Sequence, residues 1–400
     1  MYKVRIEKLD HFGRGIARID EKIVFIPNTL KEDLVEIEIV KENKKFLEGK
    51  VVNFIEKVPR INLCPYSDIC GGCHIIDMDY NDQLIYKEQK IKELFRKTFK
   101  EDLIIKNVIS DCNTNYRNKI TLHVKDKKIG FYKEESNDLV EIDYCVIAKE
   151  KINDVIEKLK ELVKNNDITD IVIRSNKGIL LDIKGNVSID ILLDIFSDID
   201  VIYLNDKLIK GEGVIYEEVL DKIFKISPKS FFQVNTKVCS KIFDKVRNYI
   251  KDNNYEKVLD LYCGTGIIGI LISNLVNSVV GIEIVSDAVK NALDNKIINS
   301  VNNIDFICDK VENRIDEFKD IDLIIVDPPR SGLDNNSVNS ILKINPKDII
   351  YISCDPNTLM RDLKLLSNNY EIIEFSIADM FPNTYHVESV VFLKKKSERR

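Results

Sequence analysis

The sequence has no uninterrupted apolar run of the roughly 18 residues that a membrane-crossing helix needs. It also has no signal-peptide pattern at Met1-Tyr2-Lys3-Val4-Arg5. Both absences argue against membrane insertion and secretion, so the expected location is cytoplasmic. Internal repeats and low-complexity segments are missing too. There is no basic excess: 60 Lys and Arg stand against 66 Asp and Glu, a net charge of -6, so whole-chain charge gives no sign of a nucleic-acid partner. Charge is local, however. Residues 86–100, YKEQKIKELFRKTFK, carry six basic residues against two glutamates, and the tail KKKSERR carries five against one. Either run suits phosphate contacts, and either also suits a solvated surface. The nine cysteines are an odd number, and in a reducing compartment they read as metal ligands, nucleophiles or small core residues before disulfides.

A chain of 400 residues, 44% hydrophobic, exceeds what one core usually holds, so two or three domains are expected. Residues 1–57 read as short strands. In Leu34-Val35-Glu36-Ile37-Glu38-Ile39-Val40 apolar and acidic residues alternate, the pattern of a half-buried strand, and Gly13, Gly15 and Pro27-Asn28 punctuate its neighbours. This predicts a small all-β barrel. Residues 58–228 begin with a cysteine-bearing linker and then mix helical and strand patterns, a central α+β domain. From 229 to 400, apolar strands alternate with amphipathic helices, which predicts an α/β, Rossmann-like doubly wound sheet.

Within that last segment, VLDLYCGTGIIGI (258–270) runs strand, glycine turn, helix, with Gly264, Gly266 and Gly269 in the G-x-G-x-x-G spacing. Glu283 ends the next strand, where a carboxylate can bind both hydroxyls of a ribose. An adenosine ligand is expected, and NAD and S-adenosylmethionine both satisfy that pattern. Farther on, Asp327-Pro328-Pro329-Arg330 holds a carboxylate at a strand end over the same pocket. The residue after the two prolines is neither the aromatic of adenine amino-methyltransferases nor the cysteine of RNA cytosine-C5 methyltransferases.

Cys354, in Ser353-Cys354-Asp355-Pro356, follows the apolar run IIYI at the end of another strand. A thiolate there answers a specific need. Carbon 5 of uracil is a poor nucleophile, but thiolate addition at carbon 6 turns the ring into an enolate with electron density at carbon 5. A base must afterwards remove the carbon-5 proton, and Glu388, in His386-Val387-Glu388, is placed for that. The strand-end loop is expected to supply backbone donors that favour the thiolate. Cys263, inside the glycine loop, would face the cofactor, and Cys112, Cys239 and Cys308 read as packing residues.

Near the N-terminal barrel, CPYSDICGGC places Cys64, Cys70 and Cys73 in a C-x5-C-x2-C arrangement, with Gly71 and Gly72 allowing a tight reversal. Three thiolates want a fourth ligand, and the pattern alone admits either zinc or an iron-sulfur cluster.

Taken in order, Phe231-Phe232-Gln233-Val234-Asn235, Asp260-Leu261-Tyr262-Cys263-Gly264-Thr265-Gly266, Asp327-Pro328-Pro329-Arg330-Ser331-Gly332, Ser353-Cys354-Asp355-Pro356 and His386-Val387-Glu388 resemble the motifs of the RNA uracil-C5 methyltransferases. The resemblance spans nearly the whole chain, and residues 1–57 are similar to a TRAM domain. It implies Cys354 as nucleophile and Glu388 as base. It implies an S-adenosylmethionine pocket lined by Gln233, Tyr262, Gly264, Gly266, Glu283, Asp309 and Asp327. It further implies a 4Fe-4S cluster on Cys64, Cys70, Cys73 and Cys145, the last in Asp143-Tyr144-Cys145-Val146. Members that act on 23S ribosomal RNA carry this cluster and the TRAM domain, whereas transfer-RNA members generally lack both. The expected substrate is therefore 23S rRNA, presented as a single-stranded loop or a flipped uridine to a monomeric enzyme. A transfer-RNA enzyme, an inactive RNA-binding member of the fold, or an iron-sulfur oxidoreductase using NAD are the competing expectations.

Overall fold

In the computed structural model, which describes residues 1–228 and 230–397, four sheets carry the chain. The first is six-stranded, in the order Tyr2–Arg5, Leu34–Glu42, Phe46–Glu56, Lys22–Ile26, Gly15–Ile19, Lys8–Leu9. Its two edge strands follow one another directly in the sequence, so the sheet closes on itself as a barrel. The alternation read from residues 34–40 sends Val35 and Ile37 inward onto Val4, Ile6, Val24 and Ile26. The chain leaves the barrel along Asp33, whose buried carboxylate accepts from the Val58 amide at 3.0 Å and pairs with the Arg60 guanidinium at 2.5 Å.

The second sheet has seven strands between Lys119 and Lys210, covered by helix Glu150–Asn165, whose Ile152, Ile156, Leu159 and Val163 form its core with Leu122, Ile171 and Ile183. A hairpin, Ile215–Val219 with Lys222–Ile226, leads into the last sheet.

That sheet has eight strands, in the order Ile304–Cys308, Ser278–Glu283, Lys257–Leu261, Leu323–Val326, Asp348–Ser353, Glu388–Lys395, Tyr370–Ala378, Asn107–Ile109. The five strands from Ile304–Cys308 to Asp348–Ser353 are parallel. They are covered on both faces, which is why they read as continuous apolar runs rather than alternating ones. Ile325 and Ile350 enter one core, and Ile324, Val326, Ile349 and Tyr351 enter the other. Strand order reverses between Lys257–Leu261 and Leu323–Val326, and ligands of such sheets bind beyond the carboxyl ends at that switch point. Because Glu388–Lys395 runs antiparallel to Asp348–Ser353, with Ser389 opposite Ser353, its first residue lies at the same edge.

Residues 80–109 pack onto this last sheet. Asn107–Ile109 extends it, and helix Tyr80–Phe99 places Ile91 and Phe95 in its core. The basic run 86–100 is therefore not a solvated face throughout. Lys87 is 1% exposed and bonds Asp379 at 2.6 Å, and Lys90 is 8% exposed. Those two lysines serve the fold, which corrects the expectation of phosphate contacts along the whole run. Of the basic tail, Glu398, Arg399 and Arg400 lie outside the described residues. Among the described residues no helix is long and apolar enough to cross a membrane.

Candidate active site

A cavity of about 850 Å3 opens at the switch point and is bordered by the loops after the five parallel strands and by the start of the antiparallel one. The glycine loop forms its floor. Tyr262, Gly264 and Gly266 all have positive φ (62°, 55° and 77°), which turns the chain back sharply into helix Ile267–Ile272. A Cβ at Gly264 would meet nothing within 4 Å, so the space over it is open to a ligand. A Cβ at Gly266 would strike Phe306 at 2.5 Å, so that glycine serves close packing.

Glu283 is held from both sides, its two oxygens accepting from the Gly264 amide at 3.0 Å and the Val285 amide at 2.8 Å. The carboxyl of Asp260 is buried in the same wall. One oxygen accepts from the Gly269 amide at 3.0 Å and the other has no partner among the described residues. Burial, then the neighbouring Asp327 and Glu283, pushes its pKa up to about 7. The sequence reading missed Asp260, although it stands in the quoted motif, because a strand aspartate reads as one more alternating residue.

Cys354 sits half-buried at the cavity edge where its strand meets helix Pro356–Leu366. The local fold follows from Asp355-Pro356. Asp355 caps the helix, accepting from the Asn357 and Thr358 amides at 2.9 and 3.0 Å, and Pro356 opens its first turn. The same helix braces the loop after Asp327. Thr358 donates to the Arg330 carbonyl at 3.1 Å, and Arg361 donates to the carbonyls of Ser331 and Leu333 at 3.0 and 2.8 Å. Arg330 and Cys354 are thus fixed relative to one another. Burial, then Glu388 and Asp327, raise the thiol to about 11, and Arg330 opposes them. A backbone hydrogen bond at Cys354 also favours the thiolate, as expected of the loop, but burial and the two carboxyls outweigh it.

Glu388 is 7% exposed and borders the same cavity as Cys354 and Asp327. Burial and the neighbouring Asp327 raise its carboxyl well above the carboxylate range, and burial raises Asp327 too. Two shielded carboxyls side by side favour holding a proton between them. His386 is driven down to about 4 by burial and by Arg330, so it is a neutral imidazole.

Gln233, Tyr262, Gly264, Glu283 and Asp327 border the cavity, as do Cys354 and Glu388. Gly266 and Asp309 do not. Asp309 is engaged beside the short helix Val311–Arg314, accepting from the Lys310 amide at 2.7 Å and from Asn313 at 2.9 Å. Cys263 also borders the cavity, but its sulfur lies 2.8 Å from where a Cβ on Gly281 would sit, packed under the loop. Cys239 is buried as expected, whereas Cys308 is exposed and does not serve packing. Phe231, 69% exposed, and Phe381 add two aromatic rings to the rim.

The second cavity, about 260 Å3, brings together Cys64, Cys70, Cys73 and Cys145. None of the four is in a disulfide. Burial raises each thiol, and at Cys73 the other three sulfurs add to the rise. Among the described residues no three His, Cys, Asp or Glu side chains converge closely enough to hold a single metal ion.

Residues 199–396 match the tRNA (uracil-5-)-methyltransferase family, and residues 1–52 match the TRAM domain. Over 98% of both chains the sequence is 34% identical to an uncharacterized RNA methyltransferase of Caldanaerobacter subterraneus. The chain belongs to this family of uracil-5 RNA methyltransferases. A further relative, from Clostridium acetobutylicum, is 33% identical over 98% of this chain and 97% of its own. Among solved structures, the tRNA (uracil-54, C5)-methyltransferase of Pyrococcus abyssi, in complex with S-adenosyl-L-homocysteine, superimposes with a TM-score of 0.80. It is 26% identical, over 98% of this chain and all of that one. A family member with a uracil-54 tRNA substrate thus matches along nearly the full length, barrel included.

Proposed function

We propose that the chain methylates carbon 5 of specific uridines in 23S ribosomal RNA through a covalent bond between Cys354 and uracil carbon 6. The observation that carries the reading is the meeting of one thiol and one shielded carboxyl, Cys354 and Glu388, on the cavity that the glycine loop floors.

The residues fit S-adenosylmethionine. Glu283 is braced to accept hydroxyls, the space over Gly264 is open, and the unpartnered oxygen of Asp260 suits a ligand that carries N–H donors. When bound, this cofactor supplies an electrophilic methyl group on a sulfonium. The chain does the rest. Cys354 loses its proton to solvent water and adds as the thiolate to carbon 6, and the pair of electrons displaced to carbon 5 takes the methyl group. Glu388 then takes the carbon-5 proton, the carbon 5–carbon 6 double bond closes, and the thiolate leaves. A uracil must be unstacked to meet Cys354, so a single-stranded or flipped nucleotide is the substrate.

Four free cysteines border one cavity, and the resemblance to the uracil-C5 methyltransferases is what supports an iron-sulfur cluster there over zinc. Cys64, Cys70, Cys73 and Cys145 would hold it, and it would supply a cross-link between the linker and the central sheet, with no electron transfer in the reaction. That site is what favours ribosomal RNA. A second reading, tRNA, is favoured by the full-length match to the tRNA enzyme. Tritium release from carbon-5-labelled uridine separates them. Release from a 23S transcript and not from tRNA is expected; release from tRNA alone would select the second reading, and none from either would overturn both.

A further inference from the structure

Glu388 begins a strand, and the nine residues before it, 379–387, form a connection that is tied to the sheet only at its start, where the Asp379 amide donates to the Ile109 carbonyl at 2.8 Å, among the backbone bonds of the described residues. Lys87 bonds Asp379 and the Phe381 carbonyl, Tyr116 donates to the Pro382 carbonyl, and toward Glu388 the next joint is Tyr385. The Tyr385 ring lies 5.5 Å from Phe12 of the barrel, edge to face, and 4.4 Å from His74, the residue after Cys73. Lys90 of helix Tyr80–Phe99 stands 5.2 Å over the ring and donates to the Tyr385 carbonyl at 2.9 Å and to the His11 carbonyl at 2.8 Å. Three separate parts of the chain, the barrel, the cysteine loop and the helix, therefore close on one side chain. Their grip extends back along the connection. The His74 and Ile75 amides donate to the Asn383 carbonyl at 3.0 and 3.1 Å, and the Gln83 side chain donates to Asn383 Oδ1 at 3.0 Å and accepts from the Asn383 backbone amide at 2.8 Å. The Tyr385 ring also lies 4.4 Å from His386, tilted at 44° to it, and His386 borders the active-site cavity two residues before Glu388.

Cys354 is held differently, by its own strand and by the cap of the helix that follows it. The two reacting groups share one strand pair, Ser389 lying opposite Ser353, but the connection that leads into Glu388 carries the Tyr385 contacts, whereas Cys354 leads into the capped helix. We propose that Tyr385 is a positioning residue for the proton-removal step: it fixes Glu388 over carbon 5 by joining the barrel and the cysteine loop to the connection that carries the base. This rests on the roles given above to Cys354 and Glu388. In that step the carbon-5 proton passes to Glu388, its bonding pair re-forms the carbon 5–carbon 6 double bond, and the carbon 6–sulfur bond breaks. A junction that slackens leaves addition and methyl transfer in place and delays only this release.

The experiment is a single-turnover reaction with RNA tritiated at carbon 5 and methyl-labelled S-adenosylmethionine, so that methyl transfer and tritium release are timed separately. In Tyr385→Ala, tritium release is expected to slow at least tenfold relative to methyl transfer, and a covalent protein–RNA adduct should build up on denaturing gels. Tyr385→Phe should behave as the parent, since among the described residues the joint runs through the ring and the carbonyl. Phe12→Ala, cut from the barrel side, should shift the ratio in the same direction, and it keeps the test open if Tyr385→Ala folds poorly. Equal slowing of both steps, or no change in their ratio, overturns the proposal. Glu388→Gln is run beside them: if it builds no adduct, the assignment of the base itself has failed and the positioning role falls with it.

Discussion

At its resting value of about 11, the Cys354 thiol is ionised in about one molecule in a thousand at pH 8, whereas a thiol at the ordinary 9.0 would be ionised in about one in ten. Cys354 in the free enzyme should therefore react slowly with iodoacetamide, at a rate still rising with pH above 10. Its causes can be removed one at a time. Burial is the largest and stays in place in Glu388→Gln; Glu388 comes next, and Arg330 and a backbone hydrogen bond offset part of the rise. The glutamine variant should thus lower the midpoint by less than about one unit, at most a tenfold gain in thiolate at fixed pH. Because Glu388 itself keeps its proton to a pH above the usual carboxylate range, the gain should be seen mainly on the alkaline side, where the parent's carboxylate is charged. Arg330→Met should move the midpoint upward, as Arg330 is the one cation opposing the rise. The assay is the alkylation rate of the peptide containing Cys354, followed by mass spectrometry between pH 6 and 11. A parent midpoint at or below 9, or a glutamine variant that shifts it upward, would refute the reasoning.

Asp260 gives a stability test. Its folded pKa of about 7 lies above the ordinary 3.8, so the folded chain holds that proton more tightly and loses stability as pH rises from about 4 to 7. Asp260→Asn removes this slope; relative to the parent it should become progressively more stable up to neutral pH, by on the order of 4 kcal/mol at most, while losing affinity for S-adenosylmethionine. A stability difference that does not change with pH, read from denaturant melts, would contradict it. For the cysteine cavity, anaerobically purified protein should be brown with absorbance near roughly 400 nm. Cys145→Ser should bleach it and weaken RNA binding more than cofactor binding, with Cys112→Ser as the control; stoichiometric zinc without iron would sink the cluster.

The parallel sheet was legible because strands buried on both faces are bare apolar runs such as Leu323-Ile324-Ile325-Val326; the buried helix Ile267–Ile272 is equally apolar and is set apart by the glycine turn before it. Cys354 and Glu388 were legible as motifs, and the antiparallel turn of the last strand explains how residues far apart in sequence reach one edge. Lys87 and Lys90 were misread for a physical reason. A lysine's long stem lets it be buried if its ammonium finds a partner, and the partners, Asp379 and the carbonyls of His11 and Tyr385, come from distant segments. The thiol's elevation was hidden likewise, since it depends on Glu388 and Asp327 arriving beside it. Residues 75–225 gave no motif because their sheet pairs strands such as Lys119–Lys125 and Asp167–Asn176 across an intervening helix, so the order of elements does not announce the pairing.

The covalent step is the centre of the account, and one measurement reaches it directly. Glu388→Gln is incubated with S-adenosylmethionine and substrate RNA, denatured, digested with protease and nuclease, and the modified peptide is sequenced by mass spectrometry. The account predicts a methylated uridine attached to Cys354. An adduct on Cys263, or a glutamine variant that methylates RNA to completion with no adduct on any cysteine, would contradict it.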